Sequence, residues 1–395
     1  MNHTWTFTPL DTWFFKQALA PDSLAAQELT SLFPPSPRTL IGAIRSAVGE
    51  ANNVDWASYR ASHQPNIDTL IGKQSDATPP NAQFVGVFIA HKGQRYYPMP
   101  LNWLGKKAKD AQDKETKDYA LFKMRPSEKA ILCDLGRVVL PVLIETNEEA
   151  EKEKTAGAKP LENLFISAKK LAELLASTAS QVTLKAEDYL DKSQIFTEEA
   201  RLGIARNNQT RKTEDGKTED GKLYQTKHLR IAPDISLQLD CIGWQPKGYS
   251  KVMTLGGEGR LAQIEHQPIQ ALQNIKANKA NGIILTLTTP AKFTHGWLPD
   301  GFTSMQKEGV DCWQGNINGI ALTLVCATIG KAHREGGWNI EKRTARDVES
   351  FVPAGSSYYC TVDNGDIAAA INALHNQQIG QYTTLGRGQL VVGIY

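Results

Sequence analysis

Two glycine-rich segments of this sequence contain an arginine and could bind an anion. Residues 256–260 read Gly-Gly-Glu-Gly-Arg, and residues 386–388 read Gly-Arg-Gly. Glycine has no Cβ, so backbone N–H groups can approach an anion closely there, and each arginine adds a positive charge. A tight turn that enters a strand explains either segment equally well. The candidate anion-binding residues from these segments are Gly256, Gly257, Arg260, Gly386, Arg387 and Gly388.

The start of the first predicted helix is a further candidate anion site. Ser36 suits the N-cap position and Pro37 suits the first helical position. Arg38 follows at the positive end of the helix, and Arg45 lies two turns later. An amphipathic helix with two solvated arginines is equally compatible with this pattern.

A basic arm follows residue 200 and precedes a short tandem repeat. Residues 201–212 contain four positive charges and no acidic residue, and Thr-Glu-Asp-Gly-Lys then occurs twice over 213–222. The segment 223–230 returns as a strand, so we predict a long hairpin whose first arm could follow a phosphate backbone. An ordinary solvated hairpin remains open as an explanation. The candidates on this arm are Arg201, Arg206 and Arg211.

Composition limits the classes of function that remain. The 395 residues are 41% hydrophobic and 22% charged, as in globular proteins, and the net charge of +2 excludes a bulk polycation. A nucleic-acid surface would therefore have to be a local patch. The five cysteines are scattered and never form CxxC, and neither a metal-ligand spacing nor a Walker sequence occurs. We predict reduced thiols, no metal and no cofactor.

Residues suited to acid–base catalysis are isolated from one another. His228, His295 and His333 each lack a Ser, Cys or carboxylate at a telling spacing, and Glu258 is alone in its glycine segment. We therefore predict a protein without catalytic residues, and we keep these histidines as the alternative.

The apolar pattern predicts no membrane segment. No stretch approaches 18 uninterrupted apolar residues, and the first residues lack the basic-then-apolar pattern of a secretory signal. We expect a cytoplasmic protein.

The order of predicted elements indicates an α+β fold. Strands at 5–10 and 390–395 enclose predicted helices at 161–177, 269–280 and 366–374. The order predicts two ferredoxin-like (RRM-like, βαββαβ) modules with insertions and glycine-rich loops. We predict an N-terminal domain over 1–200 and a C-terminal domain with the basic hairpin over 201–395. The lysine-rich segment 105–129 is predicted to be an exposed insertion.

Several short motifs, taken in order, resemble one protein family. They are Thr8–Phe15, Phe33–Ala43 with Arg45, Arg201–Ala205 before a hairpin, Leu255–Arg260, Phe351–Ser356 and Leu385–Gly388. Together they resemble the RAMP superfamily of CRISPR-associated proteins, and within it the family of the third subunit of the type III-B (Cmr) effector complex. The repeat at 213–222 and the insertion at 105–129 depart from that pattern.

The resemblance implies two ferredoxin-like RAMP domains and a non-catalytic, RNA-binding role in antiviral defence. It implies that the chain holds the 5′ tag of the crRNA and binds the large polymerase-like subunit. An adjacent backbone RAMP subunit would be a second partner, target RNA an indirect one, and no membrane would be involved. The equivalent subunit of the type III-A (Csm) complex, a crRNA-processing RAMP endoribonuclease, and a protein-interaction subunit without RNA contact remain alternatives.

Overall fold

The fold is α+β, with many strands and few helices, as the sequence predicts. The computed structural model describes residues 2–17, 28–61, 64–143, 149–204, 223–276, 280–339 and 344–395. The helices are α1 Pro37–Ala51, α2 Trp56–Ala61, α3 Pro65–Ile71, α4 Glu149–Thr155, α5 Ala168–Ala176, α6 Lys192–Ile195 and α7 Ile367–Leu374.

The strands are short and occur along the whole described chain. The first fourteen are β1 His3–Pro9, β2 Glu28–Leu29, β3 Gln83–His91, β4 Gln94–Pro98, β5 Trp103–Lys109, β6 Glu115–Lys123, β7 Arg125–Cys133, β8 Gly136–Val142, β9 Lys159–Pro160, β10 Leu164–Ser167, β11 Gln181–Leu184, β12 Tyr189–Asp191, β13 Phe196–Ile204 and β14 Leu223–Ile231. The others are β15 Ile235–Ile242, β16 Val252–Thr254, β17 Leu261–Pro268, β18 Ile283–Leu287, β19 Thr303–Lys307, β20 Val310–Ile317, β21 Ile320–Thr328, β22 His333–Glu335, β23 Trp338–Asn339, β24 Thr344–Ala345, β25 Glu349–Phe351, β26 Ser357–Val362, β27 Leu385–Gly386 and β28 Leu390–Ile394.

The chain divides into two compact units, and each unit is assembled from three separate segments. Unit 1 is Met1–Gly93, Ser193–Ile269 and Arg334–Ser350, and unit 2 is Gln94–Lys192, Gln270–His333 and Phe351–Tyr395. This division differs from the predicted boundary after residue 200, because β1 pairs with β15 and β17 from much later in the chain. The ferredoxin-like character of the domains stays a prediction.

In unit 1, β1 is a central strand of an antiparallel sheet. The strand order there is β3-β15-β1-β17-β16. Trp5 and Phe7 project from one face of β1, since side chains alternate along a strand, and both are fully buried. A second group consists of the antiparallel hairpin β13–β14 and the short strand β2, which runs parallel to β14.

In unit 2, the last strand of the chain lies at the edge of a large sheet. Its order is β28-β18-β26-β21-β20-β8-β7, with β19 also paired to β20. All five residues of β28 are buried, and β28 pairs antiparallel with β18. The prediction that the C-terminal segment is a buried strand is therefore confirmed. Unit 2 also contains the strand series β12-β10-β4 and a four-stranded sheet of order β11-β6-β5-β9.

The sequence signals for helix starts are confirmed at two positions. Helix α1 begins at Pro37 after Ser36, although the Ser36 side chain makes no capping hydrogen bond. Helix α7 begins after Asp366, whose side chain accepts a hydrogen bond from the Ala369 N–H at 2.9 Å. None of the helices among the described residues is long and apolar enough to cross a membrane.

Two predicted helices are wrong in type or extent. The segment 164–167 is the strand β10, and only 168–176 is helical. Residues 269–276 form no helix. Instead Leu272 is buried, and its carbonyl oxygen accepts a hydrogen bond from Asn376 Nδ2 at 2.7 Å.

The lysine-rich segment 105–129, predicted to be an exposed insertion, forms strands and is partly buried. It contains most of β5, all of β6 and the start of β7, and Leu121 and Phe122 are buried. Lys107 lies opposite Tyr119 on the neighbouring strand, with its Nζ 3.8 Å from the ring centroid. Lysine stems and a cation–π contact therefore cover apolar surface, which the charged composition of the segment did not indicate.

Candidate nucleic-acid interface

Three arginines and two carboxylates form a surface cluster in unit 1. We call Asp11, Glu199, Arg201, Arg230 and Arg260 the arginine cluster. Glu199 Oε1 accepts from Arg201 Nε at 2.9 Å, and Glu199 Oε2 accepts from Arg230 Nε at 2.7 Å. Arg260 Nη1 donates to Asp11 Oδ2 at 2.8 Å. The cluster has one net positive charge, and all five side chains remain partly accessible to solvent.

Strand geometry brings four of the charged groups near this point. Glu199 and Arg201 are two residues apart on β13, so both project from the same face. Residue His228 of β14 lies directly opposite Glu199, and Arg230 follows it two residues later on that face. Arg260 immediately precedes β17.

The aromatic turn, residues 11–15, joins this hairpin to the sheet of β1. The backbone of Trp13 exchanges two hydrogen bonds with Leu229 of β14, at 2.9 and 2.7 Å. The Phe14 ring stacks on His228, with centroids 5.2 Å apart and an angle of 15° between planes. Trp13 and Phe14 are buried, which explains why a loop contains such apolar residues. The turn holds Asp11 above the face that carries the arginines.

The glycine segment 255–260 packs closely against the aromatic turn. The N–H of Gly257 donates to the Phe14 carbonyl oxygen at 2.8 Å. Gly256 has a φ of 81°, and a Cβ there would meet the same carbonyl oxygen and a Phe15 ring carbon. Glycine is therefore required at Gly256 by contacts within the protein, whereas Gly257 has no positive φ and a Cβ there would lie 3.0 Å from a Phe14 ring carbon. The two glycines also fix the start of β17, and with it Arg260.

We expect Gly256→Ala to disrupt this packing far more than Gly259→Ala. Gly259 also has a positive φ, 62°, but a Cβ there would meet no atom within 4 Å. Its substitution should cost only the left-handed backbone term, about 1 kcal/mol, whereas Gly256→Ala should cost about 3 kcal/mol. Urea unfolding of both variants measures the difference, and equal losses would show that the contact with Phe14 is unimportant.

Local hydrogen bonds and charges keep the cluster ionised. A backbone hydrogen bond from Thr12, aided by Arg201 and Arg260, lowers the pKa of Asp11. Hydrogen bonds from Arg230 and Arg201 lower the pKa of Glu199. Since both pKa values are lowered from their ordinary values, the ion pairs persist at neutral pH and are lost as the pH falls through these pKa values. Exposed guanidinium groups of this kind suit bidentate contacts with phosphate oxygens.

The two arginines of α1 have different surroundings. Arg38 lies in the first turn and is half-buried. Arg45 Nη1 donates to the Asp76 carbonyl oxygen at 2.7 Å, and its Nη2 donates to Tyr59 Oη at 2.9 Å. Nη2 also reaches the carbonyl oxygens of residues 72 and 73. Through these hydrogen bonds, Arg45 ties α1 to the segment that follows α3.

The glycine segment near the C-terminus is buried in unit 2. Arg387 is 5% exposed, and its guanidinium carbon lies 5.0 Å from the centroid of the Phe351 ring. Gly388 has a φ of 71°, and a Cβ there would overlap the Ile379 carbonyl oxygen. Gly386 is also buried, with a φ of 94°. The segment therefore forms a packed turn before β28.

Two predicted positions lie outside the described residues. Arg206 and Arg211 fall in the range 205–222, which also contains the tandem repeat. Of the predicted residues, the structure brings Arg201 together with Arg260, Gly256 and Gly257. It adds Arg230, Asp11 and Glu199, which sequence reasoning missed. The two-residue spacing of Glu199 and Arg201 was the available signal.

The histidines considered for catalysis belong to different units of the chain. His228 is 1% exposed, and its Nδ1 lies 3.1 Å from Thr12 Oγ1. Burial lowers the pKa of His228, and the charges of Arg260 and Arg201 lower it further. His295 is exposed and belongs to unit 2, as does His333. Among the described side chains, no group of three or more His, Cys, Asp or Glu residues could hold a metal ion.

Comparison with known proteins identifies the chain as a CRISPR-associated protein. More specifically, it belongs to the family described as CRISPR-associated protein (Cas_Cmr3), whose profile matches residues 5–395. The chain is accordingly a subunit of a type III effector complex. No curated protein matches the chain.

Solved structures with a distant likeness come from type III complexes. A chain of the type III-B Cmr-beta complex bound to cognate target RNA and AMPPnP has 16% identity and a TM-score of 0.44, covering 90% of this chain and 86% of the other. A chain of Cmr-beta bound to cognate target RNA has 13% identity and a TM-score of 0.43, covering 98% and 96%. A chain of the type III-A Csm3–Csm4 subcomplex has 10% identity and a TM-score of 0.34, covering 90% and 92%.

Proposed function

We propose that this chain is a non-catalytic RNA-binding subunit of a type III-B (Cmr) effector complex. In this role it holds the 5′ tag of the crRNA and anchors the large polymerase-like subunit, with a backbone RAMP subunit beside it. Target RNA is an indirect partner, and the two domains are ferredoxin-like RAMP modules. The family match supports the type III-B assignment over the type III-A equivalent.

The observation that supports RNA binding is the arginine cluster. Arg201 and Arg260 come from two motifs that are separated by more than 50 residues in the sequence. Arg230, which lies on β14, is the third arginine of the cluster. Their guanidinium groups converge within 4 Å of one carboxylate, Asp11. A concentration of guanidinium groups at the surface is suited to the phosphates of a single-stranded RNA.

The other predicted RNA-binding positions have different places in the proposal. Arg38 stays in the proposal as a second contact, and Arg206 and Arg211 would extend the surface along the basic arm. Arg45 is held by main-chain carbonyl oxygens and Arg387 is buried, so we place the main contact at the arginine cluster, whose side chains are partly exposed. The burial of His228, stacked on Phe14, supports a non-catalytic role.

The test is to compare binding and cleavage of two RNAs of equal length, one with the 5′ tag and one with the tag scrambled. We expect the full chain to bind the tagged RNA more tightly and to cleave neither RNA, with or without divalent metal. Turnover that His228→Ala abolishes would contradict the proposal and favour the endoribonuclease alternative. Equal affinity for both RNAs would contradict tag recognition.

A further inference from the structure

Asp11 lies at the centre of the arginine cluster. Its Oδ2 is 2.8 Å from Arg260 Nη1 and 3.6 Å from Arg201 Nη2, and its Oδ1 is 3.8 Å from Arg230 Nη2. The side chain is 44% exposed. One solvent-accessible carboxylate is therefore shared by three guanidinium groups, which come from β13, from β14 and from the residue before β17.

The second carboxylate of the cluster has a different arrangement. Glu199 receives hydrogen bonds from the Nε atoms of Arg201 and Arg230, at 2.9 and 2.7 Å. It also forms ion pairs with the Nη2 atoms of both arginines. Glu199 thus orients two guanidinium groups from one side, while Asp11 makes one short contact and two long ones.

A phosphate group would compete with Asp11 for the same donors. Guanidinium groups bind carboxylate and phosphate oxygens with the same planar geometry, and phosphate offers more acceptor oxygens. A carboxylate that stays in place also repels a phosphodiester at contact distance.

We propose that Asp11 occupies the position of an RNA phosphate in the RNA-free chain and must be displaced when RNA binds. Asp11 is thus an internal competitor that lowers affinity for an RNA backbone, whereas Glu199 is a positioning residue that raises it. The ligand is a phosphodiester of single-stranded RNA. This inference rests on the proposed function, because it concerns the same surface.

The two carboxylates give opposite predictions for isosteric substitutions. Asp11→Asn removes the competing charge and should tighten binding of single-stranded RNA about five-fold, a value discounted for the exposure of the site. The slope of log K against log salt should become steeper by about 0.7, as for one more effective positive charge on the protein. Glu199→Gln loosens Arg201 and Arg230 and should weaken binding about five-fold.

The experiment is fluorescence anisotropy with the full chain, titrated against the tagged and the scrambled RNA at several salt concentrations. Asp11→Ser is the second variant. The serine hydroxyl is too short to contact the arginines, but it can still accept a hydrogen bond. Tighter binding by both Asp11 variants supports the inference. Unchanged or weaker binding by both shows that Asp11 positions the arginines and overturns it.

The same titrations separate this inference from the proposed function. If wild-type protein prefers the tagged RNA but the Asp11 variants do not bind more tightly, only the competitor role is wrong. If wild-type protein does not prefer the tagged RNA, tag recognition is wrong, and tighter binding of both RNAs by Asp11→Asn would still support the competitor role.

Discussion

The double substitution Arg201→Ala with Arg260→Ala is expected to weaken binding of tagged crRNA about a hundred-fold. Each charged contact to a phosphate contributes about 1–2 kcal/mol, and the loss of both arginines leaves Asp11 and Glu199 as repulsive charges at the surface. Affinity measured by anisotropy at fixed salt reports the change. Both side chains are partly exposed, so the fold should survive their removal.

The matched control for this prediction is Arg60→Ala. Arg60 is an exposed arginine of α2 in unit 1, and its Nε donates to the Trp56 carbonyl oxygen at 2.8 Å. Its removal changes the net charge without touching the arginine cluster, so affinity should fall less than two-fold. An equal loss per arginine in the control and the double variant would mean that binding follows total charge and that the cluster is not the site.

The substitution Gly388→Ala is expected to destabilise unit 2 by about 4 kcal/mol. The left-handed backbone accounts for about 1 kcal/mol, and the remainder comes from the overlap with a main-chain carbonyl that cannot move away as a side chain could. That carbonyl belongs to Ile379, whose own N–H donates to the Gly388 carbonyl oxygen at 2.9 Å. The midpoint of urea unfolding measures the loss.

Gly296→Ala provides the control for the backbone term. Gly296 has the same φ, 71°, and lies in unit 2, but a Cβ there would meet nothing within 4 Å. Its substitution should cost about 1 kcal/mol. Similar losses for the two variants would show that the segment before β28 tolerates a side chain and is looser than its contacts indicate.

The two glycine segments show what local sequence can and cannot predict. Their tight turns were predictable, since Gly-Arg-Gly and Gly-Gly-Glu-Gly both favour a positive φ. The function of these glycines was not predictable. A glycine that makes room for a ligand and one that makes room for another part of the chain give the same sequence pattern. At Gly256 the close neighbour is the carbonyl oxygen of Phe14, and at Gly388 it is that of Ile379.

The arginine cluster was only partly predictable for a similar reason. Arg201 and Arg260 were visible as charges beside glycine and strand patterns. Their association depends on Trp13 pairing with Leu229 and on Phe14 packing against His228, contacts that span more than 200 residues. No periodicity within a single segment encodes such a pairing. The apolar residues of the aromatic turn are visible in the sequence, but their partners are not.

Charge composition misled the prediction for the lysine-rich strands. Lys107 and Tyr119 face each other across β5 and β6, so a lysine stem packs where an aliphatic residue is usual. Of the helix predicted over 269–280, residues 269–276 form no helix, and the Leu272 carbonyl oxygen instead accepts a tertiary hydrogen bond. In both cases long-range contacts overrode the local pattern.

The most direct test of RNA binding at the arginine cluster is a crosslinking map of the assembled type III complex. A photoreactive nucleotide in the 5′ tag of the crRNA would be crosslinked and the modified peptides identified by mass spectrometry. We predict crosslinks to peptides that contain Asp11, Arg201 or Arg230, or residues 256–260. Tag crosslinks that fall only on other subunits, or only on parts of this chain away from the cluster, would contradict the account.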